Sequence, residues 1–144
     1  MRSAEAEIAP PGGAGRAILV VEDDDAVRAV VTRMLTRADY QVTATATAKD
    51  ALEIVTNPAA RIDVLLTDVV MPDIAGVQLA ERARAARPGL PVLLMSGYTA
   101  GSLPGATIAT GELPLLRKPF DAATLLQRLH EVMQGSRVPE PEQA

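Results

Sequence analysis

The chain has 144 residues and a formal net charge of −4, and 48% of its residues are hydrophobic but only 2% are aromatic. This length suits one domain with a substantial core, which must be built from aliphatic side chains. The absence of cysteine excludes disulfides and thiolate metal sites. The acidic balance disfavours direct nucleic-acid binding, and no apolar run reaches the roughly 18 residues of a membrane span. We therefore expect a cytoplasmic globular protein.

The two ends of the chain differ in composition from its middle. Residues 1–15 are rich in Ala, Pro and Gly and predict a flexible leader, and residues 135–144 (GSRVPEPEQA) predict a flexible tail. One compact domain is therefore expected over residues 16–134.

Short apolar runs alternate with helical patterns along the first half of this domain. AILVV lacks polar alternation, which is typical of a strand buried on both faces. A helical spacing of apolar residues follows in DAVRAVVTRMLTRA, then the β-branched segment YQVTATA, then the helical segment TAKDALEIVTN. Pro58 prevents that helix from continuing.

The second half repeats the alternation. IDVLLTD and PVLLMS predict two further buried strands, separated by the helical segment GVQLAERARAAR. LPLLRK predicts a last strand, and DAATLLQRLHEVM predicts a helix capped by Asp121. Residues 99–112 contain glycines and a proline with poor periodicity, so the fourth of the five expected helices should be short or irregular. The alternation as a whole predicts an α/β fold with a parallel sheet and helices on both faces.

Polar residues stand where the predicted strands end. Glu22 and Asp23 follow the first strand, Asp68 ends the third, Ser96 ends the fourth, and Lys118 ends the last. Parallel strands bring these ends to one edge of the sheet, where binding sites form in open α/β sheets. Clustered carboxylates without Cys or His suit Mg²⁺. Without a cation, at least one of these carboxylates should have a raised pKa.

Two further acids, Asp24 and Asp25, need a different explanation. They fall in the first turn of the following helix. There a carboxylate can accept hydrogen bonds from free N–H groups and meets the positive end of the helix dipole.

Four segments together resemble the signature segments of the response-regulator receiver domain of two-component signalling. They are ILVVEDDDAVR, DVLLTDVVMPDIAG, PVLLMSGY and LLRKPF, and the last two are most similar to receivers of hybrid histidine kinases. The resemblance covers about residues 16–134. It implies a flavodoxin-like (βα)5 fold, a doubly wound five-stranded parallel sheet of order 2-1-3-4-5.

The resemblance also implies roles for individual residues. Asp68 would be the phosphoacceptor, attacking a phosphohistidine of a histidine kinase or histidine phosphotransfer protein. Asp23, Asp68, Glu22 and the backbone carbonyl of Val70 would hold Mg²⁺. The domain would then switch conformation or relay the phosphate, with at most slow self-phosphorylation and autodephosphorylation of its own rather than enzymatic turnover.

Lys118 and Ser96 would complete this site. Lys118 would neutralise phosphoryl oxygens, and the Ser96 hydroxyl would bond one of them. The resemblance further implies a cis Lys118–Pro119 bond, and a glycine at Gly76 because a side chain there would obstruct the backbone.

The sequence departs from the receiver pattern in ways that leave alternatives open. Glu22 replaces the commoner Asp, and Leu115 stands where many receivers carry the Tyr or Phe of the conformational switch. The main alternative is therefore a pseudo-receiver that acts as a constitutive interaction module. An aspartate-nucleophile hydrolase usually needs an acid two residues after the nucleophile, where this chain has Val70. A flavin carrier must accept a phosphate at its first loop, which the acidic run would repel.

Overall fold

The computed structural model describes residues 11–96 and 113–135, which form five strands and four helices. The strands are β1 Ala17–Val21, β2 Gln41–Thr45, β3 Val64–Asp68, β4 Val92–Ser96 and β5 Leu115–Arg117. The helices are α1 Asp25–Arg37, α2 Ala48–Val55, α3 Gly76–Ala86 and α4 Ala122–Gly135. The short or irregular helix predicted for residues 99–112 lies outside the described residues.

All five strands run parallel in one sheet of order β2-β1-β3-β4-β5, which confirms the predicted fold class and strand order. The order reverses beside β1, which pairs with β2 on one side and β3 on the other. Sites in doubly wound sheets form at such a reversal, beyond the carboxyl ends of the strands. The residues that follow β1 and end β3 are therefore placed where a site is expected.

Helices cover both faces of the sheet, as the alternation predicted. α2 and α3 pack against one face, where a buried cluster includes Leu19, Leu65 and Leu79. α1 and α4 pack against the other face, where the cluster includes Leu35 and Leu125. The alternation of side chains along each central strand supplies both clusters. The core is almost wholly aliphatic, and Tyr40 is the aromatic residue among its buried members in the part of the chain described.

Local hydrogen bonds fix the helix boundaries. The Thr47 hydroxyl accepts from the Asp50 N–H at 3.1 Å at the start of α2, and Asp121 accepts from the Thr124 N–H at 2.9 Å before α4. At the other end of α2, the Arg87 guanidinium donates to the carbonyls of Val55, at 2.9 Å, and Ala60, at 2.7 Å. Such a cation satisfies carbonyls that have no partner within the helix.

Residues 13–15 are attached to the end of α1. The Gly13 N–H donates to the Ala38 carbonyl at 2.6 Å, and the Gly15 N–H donates to the Asp39 carbonyl at 2.7 Å. Gly13 also lies so close to the Tyr40 ring that a Cβ atom would overlap it. The predicted limits of the compact domain, residues 16 and 134, stay predictions. Across residues 11–96 and 113–135, none of the helices combines the length and apolar character that a membrane crossing needs.

Candidate functional site

Three carboxylates meet beyond the carboxyl ends of β1 and β3. Glu22, Asp23 and Asp68 each place one carboxylate oxygen within 4.8 Å of those of the other two. Glu22 and Asp68 are buried, whereas Asp23 is exposed. The parallel sheet thus brings together acids that are 45 or more positions apart in sequence, as the strand-end pattern predicted.

Lys118 follows the edge strand β5, and its side chain extends from there to this cluster. Its Nζ lies 2.6 Å from Oε1 of Glu22 and 3.3 Å from Oδ2 of Asp68, and its side chain is only 16% exposed. The backbone fixes its position as well, because its N–H donates to the Ser96 carbonyl at 2.8 Å. Glu22 therefore binds the lysine more closely than Asp68 does. The predicted cis bond between Lys118 and Pro119 is present.

The three carboxylates of this cluster share the cation Lys118. When ionised, Glu22, Asp23 and Asp68 carry three negative charges against the one positive charge of Lys118, which leaves −2. Burial and, to a smaller extent, the charge of Glu22 raise the pKa of Asp68 and Lys118 lowers it, and the net result is a pKa of about 6. The expected raised carboxyl pKa is thus found at Asp68. Burial lowers the pKa of Lys118, but its hydrogen bond to Glu22 and the charges of both acids outweigh this and raise it.

The four consecutive acids after β1 have separate roles. Glu22 binds Lys118, and Asp23 joins the carboxylate cluster. Asp24 is the N-cap of α1, and its Oδ1 accepts from the N–H groups of Ala26, at 2.9 Å, and Val27, at 3.1 Å. The prediction of a helix cap is confirmed at Asp24.

Asp25 pairs instead with a cation on its own helix. Its Oδ1 lies 2.6 Å from Nη2 of Arg28, and Nη1 of the same guanidinium donates to the Glu22 carbonyl at 2.9 Å. Arg28 therefore holds the acidic loop against α1. The order of residues alone gave no sign of this contact, because it depends on how the loop folds back on the helix.

The backbone around Asp68 leaves no room for a side chain at Gly76. A Cβ atom there would overlap the Asp68 carbonyl oxygen, and the Gly76 N–H donates to the Val69 carbonyl at 2.7 Å. The first turn of α3 thus packs directly on the backbone of the candidate phosphoacceptor. The predicted need for glycine at this position is confirmed by the contact.

The remaining predicted site residues lie at the same edge of the sheet. Ser96 is buried at the end of β4, one residue beyond Met95, which is paired with Asp68. Val70 lies two residues after Asp68 and is 61% exposed. The roles predicted for Ser96 and for the Val70 carbonyl stay predictions.

The composition of this cluster fits a divalent cation. The three acids supply oxygen ligands only, which suit Mg²⁺ or Ca²⁺ rather than a metal that prefers nitrogen or sulfur. The charge of −2 that remains after pairing with Lys118 would be balanced by the +2 charge of one such ion. The raised pKa of Asp68 shows the electrostatic cost that a cation would relieve.

Comparison with known families identifies the chain. The family described as the response regulator receiver domain matches residues 18–130, which is more than half of the sequence. The chain belongs to the response regulator receiver domain family. The resemblance predicted from the four strand-end segments is therefore confirmed, as is the connection to two-component signalling. Receiver domains interact with histidine kinases or phosphotransfer proteins and bind Mg²⁺ at an acidic pocket.

The relatives of this chain include a protein of similar length and much longer proteins. It is 31% identical over 116 residues to the response regulator receiver protein CpdR of Brucella abortus (strain 2308), covering 81% of this chain and 95% of CpdR. It is 38% identical over 112 residues to the DNA-binding transcriptional regulator NtrC of Rhizobium meliloti (strain 1021), covering 78% of this chain. The chain spans 23% of the length of that NtrC.

A solved structure supports the similarity to hybrid-kinase receivers. The receiver domain from the hybrid histidine kinase CckA is 35% identical, with a TM-score of 0.67. The match covers 82% of this chain and 99% of the CckA domain. The residues of the segments PVLLMSGY and LLRKPF had predicted a similarity to the receivers of hybrid histidine kinases.

Proposed function

We propose that this receiver domain accepts a phosphoryl group on Asp68 from a phosphohistidine of a histidine kinase or histidine phosphotransfer protein. The observation that supports the proposal most is the convergence of Glu22, Asp23 and Lys118 on Asp68, with an unbalanced charge of −2. Phosphoryl transfer needs mainly positioning and charge neutralisation, and this site offers both. Passing the phosphate on, or a change of conformation, would be the signalling output.

In the proposed reaction, one carboxylate oxygen of Asp68 forms a bond to phosphorus. The phosphorus–nitrogen bond of the phosphohistidine breaks, and its electron pair stays on the imidazole, which is then neutral or takes a proton from solvent. The product is an aspartyl phosphate. Lys118 would neutralise oxygens of the transferred group, since its Nζ already lies 3.3 Å from Asp68. The hydroxyl of Ser96, at the end of the neighbouring strand, would bond one of them.

Asp23 and Asp68 are the best candidates for direct coordination of Mg²⁺, with the Val70 carbonyl. Both oxygens of Glu22 already accept hydrogen bonds, Oε1 from Lys118 at 2.6 Å and Oε2 from the Asp24 N–H at 3.1 Å. Each oxygen still has a second lone pair, so Glu22 would contact the ion directly or through water. Bound Mg²⁺ would supply the positive charge that the carboxylates lack and would neutralise the phosphoryl oxygens.

Labelling tests the proposal directly. With Mg²⁺, a phosphohistidine donor or acetyl phosphate should phosphorylate the wild-type chain, and Asp68→Asn should abolish the label. Removing Mg²⁺ with EDTA should also abolish it. A wild-type chain that stays unlabelled with Mg²⁺ and both donors would contradict the proposal, and a labelled Asp68→Asn variant would place the phosphate elsewhere.

A groove beside the site supports docking of a partner helix. An apolar cavity of about 280 Å³ lies between α1 and the segment after β5, and Val30 on its wall is 48% exposed. Lys118, Pro119 and Phe120 form the other wall, so a helix in the groove would approach the phosphoacceptor. Placing a charge there by Val30→Asp should slow transfer from a protein donor at least about tenfold, because an unpaired charge in an apolar contact is costly. Labelling by acetyl phosphate should not change, which separates docking from chemistry.

The pseudo-receiver alternative rests mainly on Leu115. This residue is half-buried and packs against the core cluster beneath α2 and α3, where an aliphatic side chain offers neither a ring nor a hydroxyl for the usual switch. The complete acidic cluster with Lys118 opposes the alternative, because a constitutive module needs no such unbalanced charge. Beryllofluoride, a phosphate mimic, should shift the NMR signals of Val69 and Lys118. Unchanged spectra with Mg²⁺ and beryllofluoride would favour the pseudo-receiver.

A further inference from the structure

The segment between Asp68 and α3 carries one of the proposed ligands. Residues 69–75 connect the end of β3 to Gly76, the first residue of α3. Val70 would contribute its carbonyl oxygen, but the residue is 61% exposed and contributes little packing to hold that carbonyl in place. The direction of the carbonyl must therefore be set by contacts of the neighbouring residues.

The first part of the segment is held by the core. The Val69 N–H donates to the Met95 carbonyl at 2.8 Å, and the Val69 carbonyl accepts from the Gly76 N–H at 2.7 Å. Met71 is buried, with 8% of its surface exposed. These contacts fix the inner side of the segment. Its outer side, at Pro72 and Asp73, is exposed and needs another anchor.

Asp73 provides that anchor through a helix in another part of the chain. Its Oδ2 accepts from the Lys49 N–H at 3.0 Å, in the first turn of α2, and the two residues are 24 positions apart. Slight burial raises the pKa of Asp73, but hydrogen bonds from backbone N–H groups, that of Lys49 foremost, outweigh it and lower the pKa. An acid at a helix N-terminus also benefits from the helix dipole.

The helix itself already has a cap from its own segment. The Thr47 hydroxyl accepts from the Asp50 N–H at 3.1 Å, so Asp73 supplies a second, tertiary cap to the same first turn. Thr47 and Asp73 therefore both accept hydrogen bonds from the first turn of α2. They differ in that only Asp73 belongs to the segment that follows the phosphoacceptor.

We infer that Asp73 is a positioning residue of the phosphoacceptor site, which holds the Val70 carbonyl in place by anchoring residues 69–75 to the N-terminus of α2. The inference rests on the proposed function, in which that carbonyl helps to hold Mg²⁺. Without the anchor, the segment would sample arrangements in which the carbonyl points elsewhere. The apparent affinity for the ion would then fall with the fraction of molecules that are competent to bind.

Calorimetric titration of the full chain with Mg²⁺ tests the inference. Asp73→Ala should weaken Mg²⁺ binding about three- to tenfold, in line with the loss of a cap and of a contact that orients a ligand. Asp73→Asn should bind within about twofold of the wild type, because its amide oxygen can accept the same hydrogen bond. Amide hydrogen exchange across residues 69–75 should accelerate in the Ala variant only.

Thr47→Ala is the matched control. It removes a cap from the same helix and should lower the urea midpoint about as much as Asp73→Ala does, yet leave Mg²⁺ binding and exchange across residues 69–75 unchanged. Equal weakening of Mg²⁺ binding by both Ala variants would overturn the inference, since the cause would be the stability of α2. So would an Asp73→Ala variant with wild-type affinity and exchange. Failure of the wild type to bind Mg²⁺ would instead contradict the proposed function. The comparison of amide hydrogen exchange between the variants would still test whether Asp73 anchors residues 69–75.

Discussion

Asp63 and Asp68 stand at the two ends of β3, and their surroundings differ. Oδ2 of Asp63 accepts from the Ala17 N–H at 2.8 Å and lies 3.0 Å from Nη2 of Arg61, with its side chain 32% exposed. Asp68 is buried, its side chain is 10% exposed, and it shares Lys118 with Glu22. The first carboxylate has a backbone donor and a cation that pairs with it, whereas the second must share its cation with a closer competitor.

Asp63 has the surroundings of a carboxylate that stabilises the fold, whereas Asp68 has those expected of a carboxylate that binds a ligand, as proposed above. At the amino end of β3 the charges balance, and the hydrogen bond from Ala17 helps to join β1 to the start of β3. At the carboxyl end, burial and, to a smaller extent, the charge of Glu22 raise the pKa of Asp68 to about 6 against the opposing effect of Lys118. A fold selected for stability alone would not collect these charges. The next three predictions test this contrast.

The largest effect is expected from Lys118→Met. The substitution leaves Glu22, whose side chain is 1% exposed, without its cation, and an uncompensated buried charge typically costs about 3–5 kcal/mol. Urea unfolding at pH 7.5 without divalent ions should show this loss, and added Mg²⁺ should recover part of it. The exposed Lys49 is the control, and Lys49→Met should change stability by less than about 0.5 kcal/mol. Equal losses of stability for Lys118→Met and Lys49→Met would contradict the proposed difference between the two ends of β3.

The second largest effect is expected from Asp68→Asn, which should stabilise the protein rather than destabilise it. Because the pKa of Asp68 is raised from 3.8 to about 6, the unfolded chain loses this proton first as the pH rises. Asp68 therefore lowers stability progressively between about pH 4 and pH 6, and the full penalty remains above pH 6. In metal-free buffer, Asp68→Asn should stabilise the protein by roughly 2 kcal/mol at pH 7.5, and by little at pH 4.

Two measurements check this prediction. The difference in unfolding free energy between Asp68→Asn and the wild type, followed against pH in urea, should grow between pH 4 and pH 6 and then level off. Saturating Mg²⁺ should stabilise the wild type far more than the variant, since an ion that binds only the folded chain shifts the equilibrium. A difference that is flat with pH would mean that Asp68 carries no electrostatic penalty.

The smallest effect is expected at the amino end of β3. Asp63→Ala removes a partly exposed carboxylate that bonds Ala17 and Arg61, and it should destabilise by about 1–2 kcal/mol. Mg²⁺ should not alter that loss much, because Asp63 lies at the opposite end of β3 from the carboxylate cluster. Urea unfolding with and without Mg²⁺ provides the measurement. A stabilising Asp63→Ala variant would erase the distinction between the two ends of the strand.

The sequence predicted the fold and the meeting of Glu22, Asp23, Asp68 and Lys118, because the alternation of strands and helices is strong and each of these residues follows an apolar run. The closer pairing of Lys118 with Glu22 than with Asp68 was not predictable, since a difference of 0.7 Å depends on side-chain packing. The contacts of Arg28 and Asp73 were also missed. Each joins its side chain to the backbone of another segment, and sequence patterns carry no signal for such pairs.

The sequence by itself determined which residues end the parallel strands, because runs of buried aliphatic residues and their polar ends are local properties of the chain. The tertiary structure alone decided which of the adjacent acids binds the lysine, and which helix end holds the segment after Asp68. Those outcomes depend on distances between segments that are far apart in the chain. When such segments meet, a change of a few tenths of an ångström in the separation of two polar atoms alters the hydrogen bonding and the charge balance of a buried group.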